Sequence, residues 1–172
     1  MRAVRVYVPV TVAMLARLVA DGELRAASGT AFALTPALRE AYASGDEEEL
    51  SYTALSEAAR ASLRLLAAEL DGGETGSVVV RRAVLSVDMD EVKLRPDLDD
   101  AVVRLGRPVQ VADVASVHVD LEGAEEAVRA ALGVVDEADM GDLDAEFVLG
   151  AVADHELAWY DAQELGFLVE LL

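Results

Sequence analysis

Two aspartates two positions apart close an apolar run, Val84-Leu85-Ser86-Val87-Asp88-Met89-Asp90. Carboxylates so paired can act as nucleophile and acid/base, or hold a divalent cation. A histidine and a third aspartate, His118 and Asp120, flank Val119 in another apolar stretch. Alternate side chains of a strand point to one face, so an extended backbone would aim both at one ion. Imidazole with carboxylate suits Zn²⁺, Mn²⁺ or Fe²⁺. Were the two strands neighbours, Asp88, Asp90, His118 and Asp120 would form the candidate centre of a small divalent-metal-dependent hydrolase or phosphotransfer enzyme. The structural alternative is a strand running into a solvated acidic loop, with a half-buried histidine bonded to a nearby acid.

The order Asp88-Met89-Asp90-Glu91-Val92 resembles the first motif of haloacid-dehalogenase-type phosphatases. That resemblance implies that Asp88 attacks phosphorus, Asp90 serves as acid/base and Mg²⁺ bridges carboxylate and phosphate. Gly141-Asp142, with Asp144 and Glu146, echoes the same family's late metal-binding motif. Two features oppose it. The nucleophile strand of that family lies near the chain start, whereas only 84 residues follow Asp88 here, and the sole lysine, Lys93, falls inside the supposed loop.

Other chemistries fail on spacing. An EF-hand loop wants oxygen ligands at positions 1, 3 and 5 and glycine at 6, and neither Asp88 nor Asp136 starts such a series. Gly72-Gly73-Glu74-Thr75-Gly76 lacks the lysine and following helix of a phosphate loop and reads as a turn into a strand. There is no G-x-S-x-G elbow, and without cysteine there is no thiolate cage, disulfide or cysteine nucleophile. The second histidine lies in Asp154-His155-Glu156, again among acids.

The charge balance narrows the partners. With 14 basic against 33 acidic side chains the net charge is −19. A nucleic-acid binder needs a basic stripe, and the densest basic spot here is the pair Arg81-Arg82. Anionic membrane surfaces are disfavoured for the same reason. No apolar run approaches the ~18 residues that span a bilayer, and Arg5 to Pro9 alternates as a strand does rather than as a signal sequence. These features lead us to expect a cytoplasmic protein, one acidic domain over residues 1–172, with no cofactor and with protein partners rather than nucleic acid or membrane.

Periodicity supplies the elements that must position these residues. Val4, Val6 and Val8 alternate as a strand that Pro9 should end. Thr11 caps a helix to Ala20, stopped by Gly22, and Thr30 to Leu34 forms a short strand. Thr35-Pro36 starts another helix. Asp46 caps the strongest helix, with Glu47 to Glu49 favoured by its dipole and Tyr52, Leu55, Ala59, Leu63, Leu66 and Leu70 as its stripe. Strands are expected over Ser77–Met89, Ala101–Leu105 and Val114–Val119, with a charged connection from Asp90 to Asp100. A helix follows over Glu122–Leu132, then an acidic loop over Asp136–Glu146. Glu156–Tyr160 reads as a strand, and Asp161 with Glu164 as a capping box for a last helix carrying Leu165, Leu168, Val169 and Leu172. Together these make an α+β fold with a roughly five-stranded mixed or antiparallel sheet and one layer of helices, in which a ferredoxin-like or split βαβ core is possible.

Several of these segments belong together. Arg5–Pro9, Thr35–Glu40, Asp46–Leu66, Val117–Asp120 and Glu156–Leu165 jointly resemble a family of uncharacterised actinobacterial proteins classed as a domain of unknown function. The resemblance spans almost the whole chain and implies a shared fold without implying an activity. The pair Trp159-Tyr160, each ring with a polar tip, can line an interface or split between core and rim. The expected function is therefore non-catalytic: protein–protein interaction with a partner, or self-association as a homodimer.

Overall fold

The computed structural model describes residues 2–72 and 78–172; the expected turn over 73–76 and Ser77 lie outside them. In chain order the elements are β1 (Val4–Val10), α1 (Val12–Asp21), β2 (Glu23–Leu24), β3 (Thr30–Phe32), α2 (Pro36–Ala41), α3 (Glu47–Asp71), β4 (Ala83–Met89) and β5 (Val92–Leu94). There follow β6 (Val102–Leu105), β7 (Val109–Gln110), β8 (Val114–Val119), α4 (Glu125–Leu132), α5 (Val135–Asp139), α6 (Leu143–Ala153), β9 (Ala158–Asp161) and α7 (Leu165–Leu171).

Among the described residues, seven strands join in the order β5-β6-β3-β1-β4-β8-β9, while β2 and β7 pair as a separate ribbon. The α+β class and an antiparallel sheet are as expected, but the count of five strands is too low. β5 is three residues long, is centred on Lys93 and lies inside the stretch read as a charged connection. The pairings of the described strands are all antiparallel. β3 and β4 each run antiparallel to β1 and flank it, so they are parallel to each other and are joined through α2 and α3, the arrangement of a split βαβ unit.

Strand alternation divides the core. Val6, Val8 and Val10 of β1 and Leu85, Val87 and Met89 of β4 share one face, which α1 covers with Met14, Leu15 and Leu18 and α7 with Leu165 and Leu168. On the opposite face Phe32, Val84 and Val102 meet Ala54, Ala58 and Ala59 of α3. Helices thus lie on both faces, not in one layer. Pro9 does not end β1, which runs to Val10. It lies beyond Tyr7↔Phe32, the one register pair between β1 and β3, where the ladder on that side has already stopped.

The long helix forms where expected: Asp46 accepts the Glu49 N–H at 2.8 Å and Glu47, Glu48 and Glu49 fill its first turn. Of its expected stripe Ala59, Leu63 and Leu66 are buried, joined by Leu50, Ala54, Ala58 and Ser62, whereas Tyr52 is exposed. The alanines let the helix approach the sheet closely. Ser62 fastens it there, donating to the Val10 carbonyl at 2.7 Å and accepting the Ala83 N–H at 3.1 Å.

Two other segments depart from expectation. Val78 to Val80 precede β4 without joining it, and Val80 packs instead with Leu63 and Leu66 of α3 and Val128 of α4. The acidic stretch from Asp136 is not a loop but α5 and the start of α6, which Asp142 caps by accepting the Ala145 N–H at 2.9 Å. No described helix is long and apolar enough to cross a membrane.

Candidate functional site

The four residues singled out for metal chemistry share no partner: each is held by different side chains. Asp88 accepts from Arg5 of β1 at 2.7 and 3.3 Å. Asp90 accepts from Arg107 at 3.0 Å, and that hydrogen bond holds its carboxyl below the usual range. His118 places Nε2 2.9 Å from Ser86 Oγ and 3.1 Å from Ser116 Oγ. Asp120, expected to share a face with His118, is buried against Arg82 instead. β8 ends at Val119, so the alternation that would have paired the two no longer applies.

Strand register separates Asp88 from His118. The two strands are neighbours, but His118 faces Val84, and Asp88 is four residues further along β4, about 13 Å at the usual rise. One metal ion needs each ligand oxygen at about 2.0–2.2 Å. Among the described residues no three histidine, aspartate or glutamate side chains meet to hold a metal ion.

The contact between Ser86 and His118 has the reach of a nucleophile and its base. Burial, and then the charge of Arg5, lower the imidazole pKa below its ordinary value, which favours a neutral ring. Ser86 is only 2% exposed, however, and no cleft among those lined by described residues includes it. The three side chains act as a polar tie between β4 and β8. Trp159 stands opposite His118 on β9, at the sheet edge, and is 62% exposed. Tyr160 turns to the other face and joins the core beneath α1 and α7. The aromatic pair is therefore split between rim and core.

The site that sequence reasoning missed is centred on Arg82, which is 4% exposed. Its Nε and Nη2 donate to Asp120 at 2.9 and 2.7 Å, Nη2 also reaches the His155 carbonyl at 2.7 Å, and its backbone N–H donates to Asp120 at 2.8 Å. A buried charge is tolerated when it is paired and hydrogen-bonded. The available signal was the pair Arg81-Arg82 within a largely apolar run, Val78 to Val87.

Arg82 forms part of the floor of two adjoining clefts between α3 and the segment from α6 to β9. One, of about 100 Å³, runs past Tyr52 and Leu157; the other, of about 250 Å³, runs past Leu63 and Gly150. Ser56 and Ala153 line both. The second is braced at its side by Arg60, which donates to Glu146 at 2.9 Å and to Asp139 at 3.0 Å. Both carboxyls sit below their usual pKa, Glu146 through Arg60 and Asp139 first through Arg64 and then through Arg60. Glu57, three residues before Arg60 on α3 and lining the same cleft, lacks such an ion pair among the described residues. Burial and then the nearby Asp99 raise its pKa.

No curated protein and no solved structure matches this chain. A family model does, over residues 4–169. The sheet, the Arg82 clefts and the helices on its two faces, but for the last two residues of α7, fall within that span, and the chain belongs to the Family of unknown function (DUF6912).

Proposed function

We propose that this chain is a non-catalytic cytoplasmic protein that works by binding another protein, either a partner or a second copy of itself. The observation that carries this reading is the outer side of α6. Ala145, Leu149 and Val152 bury one side of the helix, while Leu143 and Phe147, one turn apart on the other, are 83% and 82% exposed. Met140, just before the helix, is 88% exposed. Contiguous exposed apolar groups mark contact surfaces. Trp159 adds an exposed aromatic of the type enriched in contact hot spots.

The test is the mass of the complex in solution, by light scattering, for the chain purified from its own host through a tag. A stoichiometric second polypeptide or a multiple of 18.2 kDa is expected for the wild type, and its loss for Phe147→Asp. A wild-type chain that runs alone at the mass of one copy contradicts the proposal.

A further inference from the structure

We infer that the groove over Arg82, between α3 and α6, seats a basic polypeptide segment of a different protein, with Arg82 donating to one of its backbone carbonyls. The inference rests on the protein-binding reading above and names the occupant. Arg82 has two N–H groups to spare: no acceptor among the described residues meets its Nη1, although Nε and Nη2 are fully engaged. A guanidinium this deeply buried, lining both clefts, is a fixed donor rather than a mobile surface charge.

The charges around it select the acceptor. Asp120 already neutralises Arg82, and the rim carries Glu57 and Glu156, neither ion-paired among the described residues. A free carboxylate would be repelled by this rim and by the chain's net charge of −19. A neutral carbonyl would not, and cationic groups flanking it would meet the two glutamates. The two clefts adjoin and open along the surface, as a groove for an extended chain does. A second copy is the wrong occupant, since it brings 33 acidic against 14 basic side chains to an already acidic rim.

The probe is a capped hexapeptide alternating alanine and lysine, titrated into the ¹⁵N-labelled full chain. Saturable amide shifts are expected at Ser56, Ala59, Ala153 and His155, with the glutamate counterpart of the peptide giving none. Arg82 variants risk unfolding, so the groove is plugged instead at exposed positions by Ser56→Trp or Ala153→Trp. Either plug should weaken binding at least roughly tenfold while the remaining spectrum is retained. Shifts scattered over the acidic surface, or unchanged in the plugged variants, overturn the inference. So does a host protein captured equally by wild type and Ser56→Trp, a result that leaves partner binding itself standing.

Discussion

One carboxylate, that of Asp120, holds both the guanidinium and the backbone N–H of Arg82, at 2.7–2.9 Å throughout. The pair fixes the charge and the path of the chain together, just before β4 begins. Asp120 is 1% exposed, so nothing else can take its place.

Removing Asp120 therefore strands a buried cation. Asp120→Ala should lower unfolding free energy by about 3–5 kcal/mol, whereas replacing both partners by apolar residues of similar volume should cost far less. Urea unfolding of the two single variants and the double variant measures this. Equal losses in all three would mean that Arg82 is not the stranded group.

Acid should loosen the tie between β4 and β8. The folded pKa of His118 lies below its ordinary 6.5, through burial and then Arg5. The unfolded chain thus takes up the proton first, and the stability held above pH 6.5 is lost as pH falls through the folded value. Relative to His118→Gln, the wild type should weaken below pH 6.5 with a slope no steeper than about 1.4 kcal/mol per pH unit, the limit for one proton. Parallel stability curves for the two chains would remove His118 from the account.

Glu57 works in the opposite sense. Its folded pKa lies above 4.5, through burial and then Asp99, so the folded chain keeps the proton longer. The resulting penalty is absent below pH 4.5 and grows as pH rises through the folded value. Glu57→Gln should match the wild type in acid and exceed it at pH 7, as read by denaturant midpoints at the two pH values.

Arg60 and Arg64 clamp Asp139 to α3. These groups are partly exposed, and such pairs contribute at most about 1 kcal/mol. Asp139→Asn should lower stability by that order, with the difference shrinking at molar salt. A difference that persists in salt would assign the loss to packing.

The sequence exposed what local chemistry controls. Asp46 and its glutamates announce α3, Asp161 with Glu164 announce the last helix, and the valines of β1 place themselves by alternation. It hid what depends on contacts made across the chain. The stripe of α3 runs through Ala54 and Ala58 rather than Tyr52, because distance to the sheet decides which side turns in. α6 shows no clear amphipathic pattern, since Phe147 is apolar and exposed. Asp88, Asp90, His118 and Asp120 looked like one cluster because spacing records which carboxylates are near in sequence, not which arginine each will meet. Arg82, the partner that matters most, stood in plain sight beside Arg81 inside a largely apolar run.

Protein binding through the α6 side of the molecule is the claim on which the account stands. The most direct measurement is hydrogen exchange on the chain isolated with whatever its host binds to it, compared with the same chain stripped and alone. The account predicts slowed exchange over residues 52–60 and 143–153, and a return to free-chain rates in Phe147→Asp. Identical exchange in the two samples across those segments would contradict it.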